Sequence, residues 1–142
     1  MPTDEINVTI RSLKKTDFDA VLKLAGKAIT HEEMDSLIPG EPSSLCFVAE
    51  AEGKIIGFNL ACELFVGIPL SKICVIQGIV VDDDYQRLGI GEKLIKNVVD
   101  NCSGCKIEVI RALVDETDIC LQQFAEHLGF WRSKVANFDK VT

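Results

Sequence analysis

The chain begins with neither a basic stretch nor an apolar run, since Met1-Pro2-Thr3-Asp4-Glu5 stands where a secretory leader would start, and a cytoplasmic protein is expected. No long Ser, Gly, Pro or Gln tract favours disorder, and neither a linker nor an internal repeat interrupts the 142 residues. A basic patch is missing too. With a net charge of −7, the chain offers no footprint for a phosphate backbone, so a nucleic-acid partner is not expected. An acidic surface instead mildly favours cationic molecules through long-range steering.

Tyrosine and tryptophan occur once each, as Tyr85 and Trp131, and the only histidines, His31 and His127, belong to no paired ligand motif. Cysteines are present, six of them, but without an export signal they do not read as a disulfide framework. Cys46, Cys62 and Cys74 lie inside apolar runs and are expected to behave as small buried hydrophobes. Only Cys102-Ser103-Gly104-Cys105 has metal or redox spacing, and a zinc site would need two further ligands, so no metal is expected. The longest apolar region, Ile55 to Val81, is broken by Glu63, Gly67, Pro69, Ser71 and Lys72 and reads as buried strands rather than a membrane span.

What is there is enough apolar sequence for one domain spanning residues 1–142, built around one core. Val8 to Ser12 alternates as a strand. Phe18, Val21, Leu22, Ala25 and Ile29 recur at helical spacing behind Thr16, and Thr30 with Glu33 forms a capping box for a short second helix ending before Pro39-Gly40. Cys46 to Ala51 and Lys54 to Cys62 flank Glu52-Gly53 as a hairpin, and Ile73 to Val81 is the best candidate for a central strand. A helix over Gly91 to Asn101, a strand over Lys106 to Val114, a helix after Asp118 ending at Gly129, and a last strand within Trp131 to Val141 complete the series. That order predicts an α/β fold, in the α+β sense, with a mixed sheet and helices on both faces.

The junction from Val80-Val81 through Asp82-Asp83-Asp84-Tyr85 to Gln86-Arg87-Leu88-Gly89-Ile90-Gly91 runs from strand through turn into helix. The first amides of a helix lack partners within it and sit at the positive end of its dipole, so such a loop can hold a pyrophosphate. Glycine at 89 and 91 would let the anion approach the main chain. The dinucleotide and Walker patterns are both absent, the third glycine position of the former being Leu94. Two glycines before a helix are alone as compatible with a tight structural turn.

The spacing Gln86, Gly89, Gly91, the strand end Ile79-Val80-Val81 before an acidic turn, and the later Phe124-Ala125-Glu126-His127-Leu128-Gly129-Phe130 together resemble the GNAT superfamily of N-acetyltransferases, from about Val8 to Phe130. The resemblance implies a mostly antiparallel sheet splayed at its centre, acetyl-CoA as co-substrate and an amine as acceptor. It further implies that Ile79, Val80 and Val81 pair with the pantetheine arm, that the amides of Leu88, Gly89, Ile90, Gly91, Glu92 and Lys93 cradle the pyrophosphate, and that Gln86 and Arg87 belong to the same loop. Asp118 stands where a helix-start residue often meets the pantetheine arm.

Two positions depart from the pattern. Where many members carry a glutamate base and a tyrosine acid, this sequence has Gln77 and Ala125. Glu63 and Glu33 are the acidic residues considered as replacement bases. The reaction the resemblance implies is transfer of an acetyl group to a primary amine by direct attack within a ternary complex. The alternative is an acyl-CoA-binding or sensing module of the same fold without turnover. A homodimer is compatible with the sequence, and no motif specifies the oligomeric state or whether a partner's strand completes the segment after Phe130.

Overall fold

The computed structural model describes residues 7–38 and 45–142. Its first strand, β1 (Val8–Ser12), pairs antiparallel with β2 (Phe47–Ala51), which pairs antiparallel with the long β3 (Lys54–Val66). β3 pairs antiparallel with β4 (Ser71–Val81), and β4 pairs parallel with the short β5 (Val109–Ala112). The sheet order is β1-β2-β3-β4-β5.

Among the described residues four α-helices clothe this sheet: α1 (Phe18–Ala25), α2 (His31–Leu37), α3 (Ile90–Gly104) and α4 (Ile119–His127). Alternation along the strands divides the core in two. On one face Val48, Phe58 and Leu60 meet Phe18, Val21 and Met34 of the first two helices. On the other, Phe47, Ala49, Ile56, Ala61, Cys74 and Ile76 meet Ile90, Leu94, Ile95, Val98 and Cys102 of α3. Asn59 is fully buried among these apolar groups. It is satisfied by the main chain at the start of β2, donating to Leu45 O at 2.9 Å and accepting from Phe47 N at 3.2 Å.

α2 starts where the capping box places it: Glu33 N donates to Thr30 Oγ1 at 3.1 Å and Thr30 N donates to Glu33 Oε1 at 3.0 Å. Pro39-Gly40, read as the stop of that helix, lies outside the described residues. α1 is shorter than its apolar pattern, because Gly26 turns the chain at φ 64°; Ile29 nevertheless packs on the same core.

Two expectations fail. The strand expected over Lys106 to Val114 shrinks to Val109–Ala112, since α3 runs on to Gly104 and Ile107 N then donates to Cys102 O at 3.1 Å. The strand expected within Trp131 to Val141 is not formed, and that segment is irregular. Its large apolar residues, Trp131, Val135, Phe138 and Val141, are all strongly exposed, and their spacing of three and four gives no alternating face to lay on a sheet.

Candidate active site

β4 is the strand on which the site is built. It pairs with β5 only over Ile73 to Ile76, opposite Val109 to Ala112, so the edge from Gln77 to Val81 parts from its neighbour. The departure coincides with a bulge. Leu60 faces Gly78 and Ala61 faces Ile76, which leaves Gln77 without a partner in β3. Ile76 and Ile79, on either side of the bulge, both pack toward α3, and Gln77 between them is exposed. A Cβ built on Gly78 would meet nothing within 4 Å.

The gap opens into a cleft of about 190 Å³. One wall is β4 from Ile76 to Ile79; the other is Ala112, Leu113 and Val114 together with Leu121, Phe124, Ala125 and Leu128 of α4, with Phe130 beyond. Ile95 of α3 also lines it. No lining residue carries a titratable side chain. Apart from the Gln77 carboxamide, the lining side chains are apolar.

At the far end of the free edge, the chain turns into α3. Asp82 N donates to Ile56 O at 2.8 Å, Asp82 Oδ1 accepts from Asp84 N at 2.9 Å, and the Gln86 carboxamide donates to Asp83 Oδ1 at 3.1 Å and Val81 O at 3.4 Å. Gln86 is thus a brace that ties the loop to the end of β4. Arg87 and Gly89 both have positive φ, 67° and 76°, and Gly89 caps α3. The first helical bond runs from Lys93 N to Gly89 O at 3.1 Å. The amides of Leu88 to Glu92 make no such bond among the described residues, and they stand at the positive end of a fifteen-residue helix. Lys93 can therefore serve an anion only through its ammonium group. Arg87 forms no ion pair among the described residues.

The two glycines of the loop have different reasons. At Gly89 the reason is conformation, because a Cβ there would meet nothing but the backbone is left-handed. At Gly91 it is packing: a Cβ would lie 3.1 Å from Phe124 Cζ and 3.4 Å from Ile79 Cδ1. That residue keeps α3 close to α4 and β4 across the cleft, a role that sequence reasoning assigned instead to approach of an anion.

Neither acidic base candidate reaches the cleft. Glu63 lies on β3 opposite Cys74, pairs with Lys72 Nζ at 2.7 Å and stands within electrostatic reach of Cys102 near the far end of α3. Glu33 is consumed by the cap of α2. Asp118 accepts from Leu121 N at 3.0 Å as the cap of α4, and Tyr85 packs half-buried against the α3-side core with Lys54 Nζ 6.0 Å from its ring centroid.

None of the six cysteines forms a disulfide. Cys102 is buried against Cys74, whose thiol burial pushes up to about 12, while Cys105 is exposed, so the suggestive pair does not face one environment. A second, open depression of about 530 Å³ lies between α1 and the β2–β3 hairpin. Arg11 there binds Asp17 and Glu50 at 2.8 Å and Lys54 stands 3.8 Å from Asp82, while Lys23 lines the same depression.

An open mixed sheet whose central strand parts from its neighbour beside a helix N-terminus defines an acyltransferase-like α/β fold. The family model that matches residues 10–130 is that of the acetyltransferase (GNAT) family, and the chain belongs to that family. No curated protein sequence matches it. Among solved structures it resembles the aminoglycoside N-acetyltransferase AAC(6')-Iy in complex with CoA, at 20% identity and a TM-score of 0.79 over 94% of this chain and 99% of that one. It also resembles the aminoglycoside acetyltransferase meta-AAC0020 from an uncultured soil metagenomic sample, in complex with trehalose, at 21% identity and a TM-score of 0.77 over 95% and 96% of the two chains. A possible acetyltransferase from Clostridium difficile 630 gives 19% identity and a TM-score of 0.81 over 97% and 99%. At these identities the likeness is one of fold. No helix among the described residues is long and apolar enough to cross a membrane.

Proposed function

We propose that this protein transfers an acetyl group from acetyl-CoA to a primary amine by direct attack in a ternary complex. The observation that carries this reading is the unpaired edge of β4 from Gln77 to Val81, leading along an apolar cleft to the free amides at residues 88–92. The pantetheine arm would add to that edge as a strand adds to a sheet, beside Ile79, Val80 and Val81, and the diphosphate would lie on the amides of Leu88 to Glu92, with Arg87 and the ammonium of Lys93 supplying charge. An amide near Ile79 would stabilise the oxyanion as the amine nitrogen bonds to the carbonyl carbon. The C–S bond then breaks, the amine proton passes to water and the CoA thiolate leaves. Asp118 supports this site as the cap that sets the start of α4.

Glu63 and Glu33, held elsewhere by Lys72 and by a helix cap, are not assigned to proton transfer. The chemistry therefore rests on positioning, which alone can supply several kcal/mol, about 7–11 in favourable cases. The acceptor belongs to the amines, and the aminoglycosides named for the related structures are the first class to test. Work in the cytoplasm suits six cysteines without a disulfide and the supply of acetyl-CoA. A homodimer is part of the same proposal, supported by the exposed apolar residues after Phe130.

The experiment is calorimetric titration with acetyl-CoA followed by CoA-thiol release against a panel of amines that includes aminoglycosides. Binding with turnover of at least one amine supports the transferase. A cleft without a titratable residue also favours a second reading, an acyl-CoA-binding module without turnover. Tight binding with no amine-dependent thiol release would select it, and absence of binding would reject both.

A further inference from the structure

Neither the backbone nor the packing around Gly78 requires a glycine there. Its φ lies outside the left-handed region occupied by Gly26, Gly53, Gly67, Gly89 and Gly129, and a Cβ would meet nothing within 4 Å among the described residues. At Gly57 and Gly91, by contrast, a Cβ would lie 3.1 Å from Val80 O and from Phe124 Cζ. Gly104 is as free as Gly78, but it is the exposed last residue of α3. Inside a strand a glycine costs stability relative to alanine, and it commonly marks a bulge or the close approach of another molecule. A bulge calls for glycine when one of its residues is left-handed, and neither Gln77 nor Gly78 is. Close approach is what remains.

Position 78 belongs to the α1–α2 face of the sheet, because it pairs with Leu60, which packs in that core, and Val80 two residues on packs there too. A donor arm added along Val81, Val80 and Ile79 keeps its amides near the plane of the sheet, and its thioester end falls next, beside Gly78. A planar carbonyl is attacked from above or below its plane. On one side Ile79, Ile95, Phe124 and Leu128 close the cleft. On the other lies the space beside Gly78, where β4 has lost its neighbour because pairing with β5 stops at Ile76 and Ala112. We propose that Gly78 admits the acceptor: the amine nitrogen reaches the thioester carbon past the Gly78 main chain from the α1–α2 face, and the missing side chain sets how bulky the carbon bearing that nitrogen can be. This rests on the reading of the free edge of β4 as the donor site. The nitrogen must come within about 3–3.5 Å of the carbonyl carbon, and a side chain at 78 stands in that path. The nitrogen lone pair forms the C–N bond, the C–S bond breaks with its electron pair leaving on the CoA sulfur, and the amine proton goes to water.

The test compares wild type with Gly78→Ala and Gly78→Val. Gly78→Ala should melt at the wild-type temperature or up to about 4 °C above it, since alanine suits a strand better than glycine. Calorimetry should give both variants a Kd for acetyl-CoA within about twofold of wild type. CoA-thiol release is then read with amines that wild type acetylates, some branched and some unbranched at the carbon bearing nitrogen. In Gly78→Val kcat/KM should fall roughly tenfold or more, and in Gly78→Ala it should fall more for the branched amines than for the unbranched ones. Wild-type turnover in Gly78→Val, or equal losses for the two kinds of amine in Gly78→Ala, would overturn the assignment and leave the transferase standing. A lower Tm or weaker acetyl-CoA binding in Gly78→Ala would also overturn it, by showing that the strand or the donor needs the glycine. If wild type binds acetyl-CoA and acetylates no amine, the transferase reading itself fails and this inference falls with it.

Discussion

Replacing Gly91 by alanine sets two opposing effects against each other at a single atom. Alanine is the better helix former by about 1 kcal/mol, and less than that in a first turn whose amides are unbonded. The added methyl would lie 3.1 Å from Phe124 Cζ and 3.4 Å from Ile79 Cδ1, so the ring must retreat by a few tenths of an ångström or α3 must tilt away from β4. Overpacking of this kind costs about 1–3 kcal/mol. The clash should win, leaving Gly91→Ala destabilised by about 1 kcal/mol, a fall in Tm of roughly 2–5 °C for a domain of this size. Acetyl-CoA should bind several-fold more weakly, since the helix start and the free edge of β4 move apart. In a Phe124→Leu background the obstructing ring edge is gone, and the same Gly91→Ala change should become neutral or stabilising. Differential scanning calorimetry on the four proteins of this cycle measures the coupling. Stabilisation by Gly91→Ala in the wild-type background, or additivity across the cycle, would refute the claim that Phe124 is what requires glycine at 91.

Other outcomes follow from the same geometry. Gly89→Ala meets no neighbour but must hold a left-handed backbone at φ 76°, so a loss of about 1–2 kcal/mol should appear in thermal melts whether or not Phe124 is altered. Asp17, nearly buried and held bidentate by Arg11 at 2.8 Å, has its carboxyl depressed by that guanidinium. Its contribution is present above the unfolded carboxylate pKa, near 3.9, and is lost as the pH falls through the lower folded value, so the difference in stability between wild type and Asp17→Asn should shrink in acid-dependent urea unfolding. At neutral pH that substitution should cost about 1–3 kcal/mol, because Arg11 is part-exposed and keeps Glu50, and no loss of stability would sink the argument. Where an amine turns over, kcat/KM should rise with pH to a plateau because no lining residue supplies an acid; a falling alkaline limb would point to a donor outside the described cleft.

Most of the fold was legible because the signals were local. Thr30 and Glu33 specified the start of α2 three residues apart, Glu52-Gly53 specified the β2–β3 hairpin, and the β-branched run into Val81 specified the central strand. The turn from β4 into α3 was legible, but not why its loop needs both glycines, since Phe124 approaches Gly91 from 33 positions along the chain. The bulge at Gln77 was hidden for the same reason: register is a property of two strands, and the β3 partner gives no mark at Leu60-Ala61. The final strand was overread. Apolar content alone suggested it, whereas the spacing of Trp131, Val135, Phe138 and Val141 does not alternate.

The apolar face of α4 carries the more general lesson. Leu121, Phe124, Ala125 and Leu128 recur at helical spacing, which ordinarily marks residues bound for a core. None of them is fully buried, and α4 contains no buried residue at all. The stripe faces the cleft instead, opposite the free edge of β4. A helix that leaves its apolar face half-covered in the isolated chain has unfilled capacity to bury surface, at about 25 cal/mol per Å² of apolar area. A ligand with an apolar arm and a charged head would complete that packing while its head met the amides beyond Gly89. Such a ligand should raise the Tm of the whole protein rather than merely tighten the loop, because it would supply α4 with the contacts its own chain does not provide.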